Sequence, residues 1–227
     1  MERKKSVVTP ERFASGMTFD QYVDYAGSPE NLKREGSQEA PRRDFSQYLR
    51  QAYEVTRLTD AQTAALKWLA SQPNGPAKVL VISEEWSSDC RRDVPTLARM
   101  AQAGGLELRI FRRDGQRFSR SQAPNLVLEP DSNADIMAEF MNVKNGQAWA
   151  SIPVVVFYTK GLEYLYHYIE YPAIYHKDRV VGHIRTTQGD QGFLDLLKSP
   201  FFHVWACAAV DEMLSGLHER LVVGSLA

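Results

Sequence analysis

Trp86-Ser87-Ser88-Asp89-Cys90, with Pro95 five residues past the cysteine, is the stretch on which the reading of this chain turns. Ahead of it runs Lys78-Val79-Leu80-Val81-Ile82-Ser83, a short apolar run of the kind buried on both faces of a central sheet. Behind it, from Arg91 to Ala103, Val94, Leu97, Ala98 and Ala101 recur at helical spacing, and Gly104-Gly105 ends the helix. A buried strand, a turn and an amphipathic helix thus form one unit, with a serine and a cysteine at the turn.

Composition bounds what surrounds that unit. At 227 residues the chain accommodates one domain with generous extensions. A hydrophobic fraction of 44% suits a packed protein, and a formal net charge of -1 gives no reason to expect a nucleic-acid or membrane partner. Cys90 and Cys207 are too few for a structural zinc site or a disulfide framework. The histidines show no paired spacing with carboxylates, so no metal and no cofactor is expected. No apolar segment follows Met1-Glu2-Arg3-Lys4-Lys5 and no run reaches membrane-spanning length, which places the expected location in the cytoplasm.

Residues 1–43 read as a polar extension, mobile or draped, in which Thr18 caps a short helix through Tyr25. Phe45, Tyr48, Leu49, Ala52 and Tyr53 fall at helical spacing over 44–57. Thr59 and Gln62 make a capping box that opens a second helix burying Ala65, Trp68 and Leu69. After the central unit come a strand at Leu106–Phe111 and a helical stretch at Asp131–Met141. Val154–Tyr158 and Tyr164–Ile169 read as an antiparallel pair turned by Thr159-Lys160-Gly161. The tail from Gly192 to Val222 is helical by pattern, broken near Ser199-Pro200. Its apolar segment Phe201–Val210, with Phe201, Trp205 and Ala208 inward, needs a cover: the 44–71 helices or a second copy.

That order, with the turn after its first strand, resembles the thioredoxin fold. Trp86 matches the tryptophan before the active-site motif, Ser87 the first cysteine, Cys90 the second, and Pro95 the proline of the active-site helix. Ser151-Ile152-Pro153, ahead of Val154-Val155-Val156-Phe157, is similar to the cis-proline that faces the active-site turn. The closest likeness is to bacterial thioredoxin-like proteins whose motif reads Cys-x-Asp-Cys-Arg and continues to Val-Pro, as Asp89-Cys90-Arg91 and Val94-Pro95 do here. The resemblance implies an α/β thioredoxin fold, a central mixed sheet flanked by helices. The domain then spans 44–222, including the 44–71 helices and the C-terminal helix. The long gap between Cys90 and Pro153 implies an insertion around Arg112–Pro130.

The same resemblance makes Cys90 and Ser87 the candidate catalytic positions and Trp86, Asp89, Ile152 and Pro153 the candidate binding ones. A dithiol enzyme attacks with its first cysteine, and Ser87 removes that nucleophile. A serine hydroxyl ionises too weakly to substitute without a base, so Ser87 reads as a helix N-cap. Cys90 reads either as a vestigial or structural thiol or as a monothiol, with Arg91 and Arg92 favouring its thiolate and Asp89 opposing it. Glu84 or Glu85 either assists proton transfer to that thiol or is an exposed loop carboxylate.

The expected function is a thioredoxin-like protein without dithiol reductase activity, binding a thiol-containing protein, a small thiol or a peptide, as a monomer or homodimer. The alternatives are a monothiol redox protein acting through Cys90, and an active oxidoreductase whose first cysteine was replaced by serine. Arg109, Arg112, Arg113, Arg117 and Arg120, offset by Asp114, form either a solvated loop or a site for an anion. Tyr164, Tyr166 and Tyr168 share one strand face, for a ligand or under a helix.

Overall fold

In a computed structural model of the protein, which describes residues 6–37, 41–120, 122–172 and 200–224, the strands are β1 (Lys78–Ser83), β2 (Glu107–Arg112), β3 (Asn142–Lys144), β4 (Gln147–Trp149), β5 (Val154–Tyr158) and β6 (Tyr164–Ile169). The helices are α1 (Pro10–Ala14), α2 (Phe19–Ala26), α3 (Pro29–Leu32), α4 (Ser46–Val55), α5 (Asp60–Ser71), α6 (Ser88–Gly104), α7 (Ala134–Met137) and α8 (Pro200–His218), the last running into a π-helical turn at Glu219–Val223.

β1 lies inside a four-stranded sheet of order β2-β1-β5-β6. It runs parallel to β2, from Lys78 opposite Glu107 to Ser83 opposite Arg112, and antiparallel to β5. Val79 to Ile82 and all of β5 are buried, because helices cover both faces of these inner strands. β6, an edge strand, buries Leu165 and Tyr168 and leaves the rest half-exposed. Its tyrosine face packs under α8: a Cβ at Gly216 would overlap the ring of Tyr166.

α6 is buried along most of its length, packed against α4, α5, α8 and the sheet. Gly105 ends it in the left-handed conformation, at φ 66°, where a side chain would be strained. The α5 capping box forms between Thr59 and Gln62. The inward stripe of α5 is Gln62, Leu66 and Leu69, so Trp68 faces outward, 47% exposed, with its ring 6.2 Å from His218. On α8 the buried side chains include Phe202, Trp205, Ala209, Met213 and Leu217, a stripe set by Trp205 rather than by Ala208. Trp205 clusters with Phe202 and with Tyr48 and Ala52 of α4, so the apolar face is covered within the monomer. The expected helix over 192–199 and the Phe201 side chain lie outside the described residues.

Two regions differ from their reading in the sequence. The N-terminal segment is part of the core: Phe13, Tyr22, Val23 and Ala26 are buried, and Met17 exchanges backbone hydrogen bonds with Ile110 at 2.9 and 2.8 Å. Its polar composition hides the few apolar residues that dock it, and the Met17 bridge covers the outer edge of β2. The expected helix at Asp131–Met141 shrinks to α7, followed by the β3–β4 hairpin. Asn145 and Gly146, at φ 51° and 75°, supply the positive-φ pair that a two-residue hairpin turn requires.

Candidate functional site

β1 delivers Ser83, Glu84 and Glu85 to the head of α6, and the chain turns through Trp86 into Ser87. Ser87 has extended backbone angles and caps the helix, its Oγ accepting the N–H of Cys90 at 3.4 Å. Arg91 stabilises the turn from within the helix. Its Nη1 donates to the carbonyls of Glu85 and Trp86 at 2.9 and 2.8 Å, and its guanidinium lies 3.9 Å from the centre of the Phe45 ring.

Cys90 sits beneath that turn and is fully buried. A helix N-terminus favours a thiolate. Here burial outweighs that field and pushes the thiol up to about 12, against the opposing hydrogen bonds from Ser83, the Glu84 backbone and Ser87. The expected help from the two arginines is absent: Arg91 is engaged by the turn carbonyls. Arg92 donates to Asp93 at 2.6 Å through both Nε and Nη2 and faces Asp89 at 3.4 Å. Cys90 and Cys207 form no disulfide.

Glu84 and Glu85 are not exposed loop carboxylates. Glu84 receives Arg34 at 2.9 Å, Arg42 at 2.6 Å and the backbone N–H of Asp114 at 2.7 Å. Glu85 shares the same Arg42 Nη1 at 2.7 Å. Burial pushes the Glu84 carboxyl up, and Arg34 with Arg42 more than reverse this, leaving it below its ordinary value. Glu85 moves the other way, raised by burial and then by the charge of Glu84. Asp114 is raised to about 6 by burial and by Glu84. Both arginines come from the N-terminal segment, a pairing across forty residues or more that no local pattern announces.

The Ile152–Pro153 bond is cis. Between the loop ahead of it and the Trp86–Asp89 turn lies an open cleft of about 460 Å³. Trp86, Ser87 and Asp89 line one side, and Ala150, Ser151 and Ile152 the other. Cys90 and Pro153 do not line it. The remaining wall comes from Arg113 and Arg120 of the basic segment and from residues not singled out in the sequence as a site: Phe118, Ser119 and Gln122 of the insertion, Trp149 of the hairpin, and Glu170 after β6. The Asn145-Gly146 turn was the available signal for the hairpin that carries Trp149.

The basic segment is largely paired. Arg109 meets Glu107, Arg112 donates to the Tyr25 hydroxyl at 2.6 Å, Arg113 pairs with Asp114, and Arg120 pairs with Glu35. Among the described residues no group of three or more His, Cys, Asp or Glu is placed to hold a metal ion.

Residues 38–125 match a family model described as thioredoxin, a span that holds β1, the Trp86–Cys90 turn and α6. That span is thioredoxin-like. A crystal structure of a protein of unknown function from Pseudomonas aeruginosa is similar to this chain, with a TM-score of 0.53 at 15% identity, covering 97% of this chain and 100% of that one. An HIV epitope-scaffold is similar at a TM-score of 0.51 and 16% identity, covering 94% and 98%. At these identities the likeness is one of fold. None of the curated proteins compared with the chain matches it. Among the described residues no helix is long and apolar enough to cross a membrane.

Proposed function

We propose that this protein is a thioredoxin-like binding module that has kept the cleft between the active-site turn and the cis-proline loop and has no dithiol reductase chemistry. The observation that carries this reading is the division at the turn: Ser87 lines the cleft, while Cys90 lies wholly beneath it with its thiol pushed up to about 12. Disulfide exchange needs an accessible thiolate to attack and a second thiol to release the mixed disulfide. The cleft has the size and the aromatic-with-polar lining of a recognition site, and a peptide or thiol-bearing segment is held there without a covalent step.

The test is turnover. Incubated with a disulfide substrate and a dithiol donor, the protein shows no catalysis above background, and Ser87→Cys, which restores a first thiol at the cleft, gains it. Multiple turnovers by the unsubstituted chain sink the reading and make Cys90 or Cys207 the nucleophile.

A further inference from the structure

We infer that the cleft takes an acidic peptide segment and that Arg113 is the residue that reads its carboxylate; this rests on the binding-module reading above. Arg113 lines the cleft with its guanidinium 5.1 Å from the ring centres of both Trp86 and Phe118, which are 5.4 Å from each other, so it rests against an aromatic pair. Its Nε and Nη2 donate to the two oxygens of Asp114 at 2.7 and 3.2 Å, and Nη1 donates to the Ala150 carbonyl at 3.0 Å. A guanidinium has two N–H on each terminal nitrogen, so Nη1 and Nη2 each keep one for a ligand. Trp86, in the same wall, carries a buried indole N–H with no acceptor.

The charges around the cleft favour an anion. The lining acids are already satisfied from behind: Asp89 is buried against Arg92, and Glu170 is paired with Lys144. The accessible charge is Arg120, whose pair with Glu35 is half-exposed at 2.7 Å. Such exposed pairs are weak and exchange partners at little cost. Donors fixed in advance in this way suit the planar geometry of a carboxylate. Trp149, 43% exposed at the rim, offers an apolar face to the side chain beside it. A peptide bearing Asp or Glu next to an apolar residue matches both features.

The experiment pans a random dodecapeptide phage library on the full chain, then compares one selected synthetic peptide with a twin in which its Asp or Glu is replaced by Asn or Gln. The expected result is an acidic residue at one fixed position, with the neutral twin bound roughly tenfold more weakly. Arg113→Gln loses that discrimination. Arg120→Gln, outside the buried network, reduces it, and Trp149→Ala weakens both twins alike. Selected peptides with no acidic position, or twins bound equally by the unsubstituted protein, overturn the carboxylate inference and leave the binding module standing. A library that yields no binder overturns both.

Discussion

The Ser87 hydroxyl accepts the backbone N–H of Cys90 at 3.4 Å, so the two residues of the motif are joined as a cap and its helix rather than as a reacting pair. The serine side chain satisfies a donor that the first turn of α6 would otherwise leave open. Its presence stabilises the fold at the position where the resemblance implies a nucleophile.

Ser87→Ala is expected to lower stability by about 1 kcal/mol, the ordinary cost of losing a helix cap. Urea unfolding measures it. A shift in midpoint with unchanged slope is the expected form, and an unchanged midpoint shows that the cap contributes nothing here.

Arg34 carries four hydrogen bonds in the interior, to Gly115 O, Asp114 O, Asn31 Oδ1 and Glu84 Oε1. Arg34→Ala leaves the Glu84 charge buried with one partner fewer, and breaking a buried pair from one side costs about 3–5 kcal/mol. Glu84→Gln in the same chain is expected to recover part of that loss, because the stranded charge is then gone. Denaturation of the single and double variants measures the coupling, and strictly additive losses refute the pairing.

Asp114 sets a pH dependence of definite sign. Its carboxyl is raised from 3.8 to about 6 in the fold, so between those values the folded chain binds the proton more tightly than the unfolded chain. The contribution of this group is fully present below pH 3.8 and is lost as pH rises through about 6. Glu84, lowered in the fold, contributes in the opposite sense and loses stability as pH falls. Unfolding free energies of the protein and of Asp114→Asn across this range isolate the first effect. The protein is expected to lose stability relative to the variant as pH climbs from 4 to 6, and a relative gain contradicts the burial argument.

Much of the scaffold was legible from local pattern. β1, β5 and β6 are continuous or alternating runs of β-branched and aromatic residues, and the structure bounds them where the sequence does. The Thr59 and Gln62 pair and the Gly104-Gly105 stop follow from backbone chemistry that a few adjacent residues decide. What escaped depends on distance along the chain. The sequence left Glu84 and Glu85 open between a proton-transfer role and exposed loop carboxylates, because Arg34 and Arg42, forty residues or more earlier, are what permit their burial. The sequence left Cys90 open between a structural thiol and a monothiol for a related reason: the helix field is a local property, whereas the burial that opposes it comes from elements packed around the turn.

Trp205 packs on Tyr48 and Ala52 of α4 within one molecule. Trp205→Ala is therefore expected to cost about 3–5 kcal/mol, as truncation of a buried aromatic does, without changing the sedimentation of the folded protein. A dimer that dissociates on this substitution while its subunits stay folded would place the α8 face between two copies instead.

A binding role without disulfide exchange depends most directly on the burial of the Cys90 thiol, and reaction of that thiol with a thiol-specific reagent near neutral pH tests it, using Cys207→Ala protein so that a single thiol is counted. A thiol pushed up to about 12 and fully covered is expected to stay unlabelled in the folded protein and to react fully once urea unfolds it. Stoichiometric labelling within seconds in the folded state contradicts the account, because it shows an accessible thiolate at the turn and restores a redox role to Cys90.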